Sequence, residues 1–309
     1  MTVQWSERPQ LRRPAMVAAF EGWNDAADAA TDAVRRLCLL FDARPFAEIG
    51  ADEYFDFQAA RPLTTIVDGV VTRLDWPRTR FFAARVEGAP HDLVLLLGIE
   101  PNLRWPAFCR DVLDVARDCG CEVIVTLGAL LAEVPHTRPV RVTGVADDKT
   151  TINRLHLPQS RYEGPTGIVG AIHAEARKAS LPSVSLWAPV PHYVATPPGP
   201  KATRALLDHL GALLAMPLDL SELDAASRAW EIQVDAAASD DSEVTAYVRS
   251  LEERYDSEAS ATSDADFDHD EALGEDGGGI EDLSGEDLPS GDALAADFER
   301  YLREQTDDD

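Results

Sequence analysis

The chain has 309 residues, 45% of them hydrophobic, and a formal charge of -27 at neutral pH. The charge is concentrated: from Asp235 onward there are 26 Asp/Glu against 4 Lys/Arg, which leaves 29 against 24 in residues 1–234. That balance argues against a nucleic-acid binder, because phosphate contacts need clustered Lys and Arg, and against anionic membrane surfaces for the same reason.

The first residues, Met1 to Arg13, have no apolar run of the signal-peptide kind. No stretch approaches the ~18 apolar residues that a spanning helix needs. The expectation is a cytoplasmic protein. Cysteines stand at 38, 109, 119 and 121, and the close pair Cys119-Gly-Cys121 lacks the two-residue spacer of common redox and zinc motifs. They are expected to be unpaired, inert thiols.

In chain order, Ala15–Phe20 reads as a short strand. A helix follows it, with Asn24 or Asp25 as cap and Ala30, Ala33, Val34, Leu37 and Leu40 on one face. The section from Phe46 to Val86, broken by Gly, Pro and Asp, is expected to supply antiparallel strands. Leu93–Leu97 is a continuous apolar run of the kind buried on both faces. A helix from about Trp105 to Asp118 comes next, stopped by Gly120. Glu122–Leu127 and Val140–Val145 read as strands, Gly167–Ala179 as a helix, Val184–Ala188 as a strand and Lys201–Leu214 as a helix. This alternation predicts an α/β fold: a mostly parallel central sheet flanked by helices, with a helical C-terminal extension and an acidic disordered tail.

The predicted division is a globular domain over 1–234, a helical extension over 235–255, an acidic disordered linker over 256–291, and a short helix with an acidic end over 292–309. Ser221 starts another helix, with Asp224 at the capping-box distance, which runs on into the extension. A break is expected near Ala236–Asp241 and an end at Tyr255. Low hydrophobicity and high charge keep 256–291 from burying enough surface to fold. In Asp292–Glu304, Leu294, Phe298, Tyr301 and Leu302 share a helical face that can dock on the body or on a partner.

Several polar groups follow strands directly, and a parallel sheet gathers such loops along its carboxyl edge. They are Glu21, Trp23, Asn24 and Asp25 after the first strand, Glu100 after Leu93–Leu97, His136, Thr137 and Arg138 in Val134–Pro139, and His192 and Tyr193. Together with Gly164, Thr166 and Gly167 they are the candidate cleft or interface. A carboxylate beside a histidine can do acid–base chemistry; the alternative is that these groups cap helices, pair with one another or form an interface. The glycine-rich turn Gly164–Gly170 can place an anion at a helix N-terminus, or be a tight turn with Thr166 as cap. It has no Lys-Ser/Thr after it and no dinucleotide fingerprint. Asp264, Asp266, Asp268 and Glu275 have the spacing of a calcium loop, but His269 replaces the turn glycine and no metal site is expected. No cofactor is predicted.

Taken in order, Phe20–Asp25, Gly98–Pro101 with Trp105, Leu127–Ala129, Val134–Pro139, Gly164–Ile168 and Trp187–Tyr193 resemble the proteasome assembly chaperone 2 family of the actinobacterial type. The resemblance covers roughly residues 14–215. It implies a fold similar to the phosphorylase/hydrolase type, and self-association or pairing with a sibling. It also implies proteasome core α-subunits as partners. Chaperones of this kind can dock through a C-terminal hydrophobic-Tyr-any tripeptide, whereas this sequence ends Asp307-Asp308-Asp309. The functional expectation is a non-enzymatic chaperone-like protein that binds protein partners or forms a homo-oligomer. The alternative is a small-molecule enzyme, hydrolase- or phosphorylase-like or of the ATP-grasp label some relatives carried, using the loop cleft. A further reading makes the acidic tail the active part, regulating a basic partner.

Overall fold

The computed structural model describes residues 3–147 and 164–265. Its strands are β1 (Val3–Trp5), β2 (Ala15–Glu21), β3 (Arg44–Ile49), β4 (Leu63–Val67), β5 (Val70–Asp75), β6 (Thr79–Ala84), β7 (Leu93–Ile99), β8 (Val123–Ala132), β9 (Thr143–Ala146) and β10 (Ser183–Pro191). Its helices are α1 (Ala29–Leu40), α2 (Trp105–Asp118), α3 (Ile168–Lys178), α4 (Pro200–Leu214), α5 (Ser221–Ser239) and α6 (Ser242–Ala265). These elements fall into two compact units.

The first unit comprises Met1–Leu131, Val140–Val190 and Pro197–Arg228. Eight strands form one sheet in the order β1-β3-β6-β7-β2-β8-β10-β9. At its centre β2 pairs in parallel with β7 and with β8. The β1–β3, β3–β6, β6–β7 and β9–β10 pairs are antiparallel. Chemistry along β2 shows why the centre reads as one apolar run. Ala15, Val17 and Ala19 pack in the cluster that holds α1 and α4, while Met16, Ala18 and Phe20 pack in the cluster that holds α2 and α3. Both faces are dry, so alternation is lost from the sequence. Of these pairs, β6 and β7 are consecutive and joined by a short loop, as antiparallel neighbours can be, whereas β2 and α1 lie between β1 and β3 in the sequence and α3 lies between β9 and β10.

The section expected to supply antiparallel strands does so, and it contains a separate hairpin. Among the described residues, β4 and β5 pair only with each other. Asp68 and Gly69 between them have φ of 51° and 77°, the positive values of a tight hairpin turn. Every residue from Leu63 to Leu74 is exposed, including Leu63, Ile66, Val67, Val70, Val71 and Leu74.

The second unit comprises Ala132–Pro139, Pro191–Thr196 and the chain from Ala229. Its core is Tyr193, Val194, Val234, Ala238, Val244, Val248 and Leu251, with Trp230, Ala237 and Tyr247 partly buried against it. The break between α5 and α6 falls at Asp240–Asp241, inside the expected interval. Asp241 Oδ1 accepts from Glu243 N at 2.7 Å and so caps α6. Two boundaries differ from the sequence reading. The unit boundary falls inside α5, after Arg228, and Trp230 and Val234 beyond it pack with Tyr193 and Val194. And α6 runs through Tyr255 to Ala265, so the first residues of the predicted linker are helical. Arg138, far away in sequence, binds Asp256 there and offsets its charge. The predicted short helix over 292–304 and the calcium-like spacing beyond Ala265 lie outside the described residues. Among the described residues, no helix is long and apolar enough to cross a membrane.

Candidate functional site

In the first unit the loops after β2 and β7 do meet. Gly22, with φ of 120°, turns the chain off β2. Asn24 is fully buried, and its Nδ2 donates to Glu100 Oε1 at 2.7 Å. The same carboxylate oxygen accepts from Ile168 N at 2.8 Å, at the start of α3. Gly167 is the N-cap residue, and a Cβ there would stand 2.1 Å from Asn24 Oδ1, so only glycine permits this approach. Asn24 Oδ1 is buried and has no partner among the described residues.

The Gly164–Gly170 turn therefore differs from both sequence readings. Thr166 is not the N-cap; its hydroxyl oxygen lies against Gly170, 2.0 Å from where a Cβ would be. A carboxylate already sits where the helix N-terminus would receive an anion. It satisfies the N–H of Ile168 and repels a phosphate. This is a built-in cap that joins β2, β7 and α3, and it puts a negative charge at the N-terminus of α3.

Asp25 is also committed. Its Oδ1 accepts from Ala30 N at 2.7 Å and Thr31 N at 3.1 Å, and its Oδ2 accepts from the Thr31 hydroxyl. It caps α1 from five residues upstream. Burial raises its carboxyl above 3.8, and the bonds from Thr31 and Ala30 pull the other way. Glu21 binds Arg35 of α1.

Beside this knot lies a cleft of about 720 Å³. Trp23, Leu130, Leu131, Val145 and Trp187 line its apolar part, and Thr166, His173 and Ser185 its polar part. Trp23 is 65% exposed. Trp187 lies flat over Gly128, where a Cβ would stand 2.6 Å from its ring, and its Nε1 donates to Ser185 Oγ at 3.0 Å. The sequence reading did not single out the cluster next to it. Ser183 Oγ donates to Asp147 Oδ2 at 3.0 Å and lies 2.9 Å from His173 Nδ1. Burial lowers the His173 imidazole from its ordinary value, against the pull of Asp147. Nothing in the spacing of 147, 173 and 183 signals this cluster, since the strand pairing of β9 with β10 creates it.

His136, Thr137, Arg138, His192 and Tyr193 belong to the second unit, whereas Glu21, Trp23, Asn24, Asp25, Glu100, Gly164, Thr166 and Gly167 belong to the first. His136 is 1% exposed. Its backbone N–H donates to Tyr193 Oη at 2.9 Å, its Nδ1 lies 2.8 Å from the same oxygen, and its Nε2 lies 2.9 Å from Asp235 Oδ1. Burial raises the Tyr193 phenol well above its ordinary value. Arg138 forks onto Asp256, Nε to Oδ1 at 2.9 Å and Nη2 to Oδ2 at 2.8 Å, and its Nη1 reaches Glu252 Oε1 at 3.0 Å. Those carboxylates hold the guanidinium above its usual value. Thr137 donates to Glu252, and Tyr247 Oη lies 3.4 Å from His192 Nε2. Asp235, Glu252 and Asp256 were missed in the sequence because they sit in an acidic stretch where any one carboxylate looks like its neighbours.

The arrangement is one of mutual satisfaction: caps and ion pairs engage most of the candidate polar groups. Among the described residues no group of three or more His, Cys, Asp or Glu is placed to hold a metal ion.

Comparison with known proteins gives the same direction. None of the curated proteins matches the chain. Of the solved structures, a PAC2 family protein from Streptomyces avermitilis is 49% identical, with a TM-score of 0.71 over 76% of this chain and 99% of its own. The Mycobacterium tuberculosis proteasome-assembly chaperone homologue Rv2125 is 45% identical, with a TM-score of 0.72 over 76% and 99%. A Mycobacterium tuberculosis protein of unknown function, Rv2714, is 27% identical, with a TM-score of 0.79 over 86% and 92%. The PAC2 family model matches residues 19–238, which takes in the Asn24–Glu100 knot, the cleft and the Val134–Pro139 loop; the chain belongs to the PAC2 family.

Proposed function

We propose that this protein is a non-enzymatic, chaperone-like protein of the cytoplasm. It binds protein partners, with proteasome core α-subunits as the leading candidates, and it self-associates. The reading is carried by the 45% identity to a proteasome-assembly chaperone homologue along 99% of that chain. Physical support comes from the β4–β5 hairpin. A two-stranded ribbon alone is marginal in water, and this one exposes apolar side chains from both strands. Such an arm gains stability when another protein covers it. The capped and paired state of Glu100, His136 and Arg138 fits a binding scaffold better than acid–base chemistry.

Two measurements on the full chain test this. Light scattering after size exclusion should give a mass above the 33.7 kDa monomer, and Ile66→Asp with Val71→Asp should return it to the monomer with helix content unchanged. Co-purification should recover core α-subunits. A monomeric wild-type chain would refute the self-association. Failure to recover any proteasome subunit, with normal proteasome assembly in its absence, would refute the proteasome role.

A further inference from the structure

We propose that α6 is a reversible strap, held across Val134–Pro139 and Pro191–Tyr193 by an ionic latch centred on Arg138, and that it opens without unfolding the sheet. Two features of the second unit carry this.

First, the apolar hold is small for the length of the helix. Among its described side chains from Ser242 to Glu258, the buried apolar ones are Val244, Val248 and Leu251, with Tyr247 partly buried, against Tyr193, Val194, Val234 and Ala238. A segment with few buried apolar contacts and much exposed backbone lies at the low-stability end of a structure. Second, the polar hold is concentrated on one short loop. Arg138 engages both Glu252 and Asp256, Thr137 engages Glu252, and Arg254 donates back to Glu133 O at 2.8 Å and pairs with its carboxylate at 3.1 Å. The forked guanidinium is the strongest of these, because two parallel charged hydrogen bonds act together. Its side chain is 31% exposed, and those of Glu252 and Asp256 are 25% and 55% exposed, so salt reaches the latch.

The α5–α6 junction at Asp240–Asp241 is the natural hinge, since the helices are already separate there. Opening takes Val244, Val248 and Leu251 away from Tyr193 and Val194, with which they share one buried cluster. The two sequence motifs that face α6 are thereby a covered surface that the chain itself closes.

Hydrogen exchange on the full-length chain tests the strap. Losing the fork should raise exchange at Val244, Val248 and Leu251 by roughly 5- to 20-fold in Arg138→Gln, and by less in Arg138→Lys, which keeps one charge contact. Exchange in β2 and β7 should not change. Raising salt from about 0.05 M to about 1 M should accelerate the same α6 amides in the wild type and add little in Arg138→Gln. The proposal is overturned if α6 ignores both salt and Arg138→Gln, or if β2 and β7 speed up by the same factor. The salt arm uses the unaltered chain, so it decides the matter even if a variant folds poorly.

Discussion

Removing the Glu100 carboxylate is the sharpest test of the first unit's architecture. One oxygen accepts from Asn24 Nδ2 and from Ile168 N, at 2.7 and 2.8 Å. In Glu100→Ala both donors lose their partner. A hydrogen bond to a charged group contributes ~1.5–3 kcal/mol, and stranding a buried donor costs ~1–3 kcal/mol. Ile168 and Asn24 are both fully buried, so neither donor is left facing open solvent. The expected loss is therefore about 2–4 kcal/mol, shared by the two donors. Glu100→Gln keeps an acceptor oxygen and gives up the charge assistance, so it should cost about 1 kcal/mol. Urea unfolding followed by tryptophan fluorescence measures both, and the midpoint should fall with the slope unchanged. At ~2–4 °C per kcal/mol for a protein of 150–250 residues, Glu100→Ala should also lower the melting temperature by about 5–15 °C. If Glu100→Ala is neutral or stabilising, Glu100 is not a structural cap. A stability gain on removal would instead mark a functional site held at the expense of folding.

Other expectations follow from the same contacts. Gly167→Ala should lose ~1–3 kcal/mol of unfolding free energy, because its Cβ displaces Asn24; a neutral result would mean Asn24 has room to move. Asp25→Ala should cost about 2–3 kcal/mol by stranding Ala30 N and the Thr31 groups, and Asp25→Asn less than about 1. Burial raises the folded carboxyl of Asp25, so its share of stability is complete below 3.8 and is lost as pH rises through the folded value. A pH series of unfolding midpoints should show that decline in the wild type and not in Asp25→Asn. Burial lifts the Cys38 and Cys119 thiols to about 11 and that of Cys109 to about 12. At pH 8 the thiolate fraction is then on the order of 0.1% or less, and a thiol-specific disulfide reagent should label the native chain far more slowly than the denatured one.

Much of the fold was legible because burial writes itself into composition. β2, β7 and β8 read as continuous apolar runs since both faces of the sheet are dry. The α5–α6 break falls inside the interval expected for it, whereas α1 begins at Ala29, after Asp28, and not directly after Asn24 or Asp25. The β4–β5 hairpin had a readable signal, Asp68-Gly69 between β-branched residues, but its exposure did not. Apolar side chains on an uncovered ribbon look the same in sequence as those of a core strand.

The candidate site divides along the same line. By itself the sequence determined the order of elements, the chemistry available after each strand, the acidic C-terminal quarter and the family. Only the tertiary structure decided what those polar groups do. Glu100 caps a helix 68 residues further on, and Arg138 closes on carboxylates more than 110 residues away. Local spacing reflects the 2- and 3.6-residue periods of strands and helices, whereas the partner of a charge is set by which distant segment the sheet brings within about 3 Å.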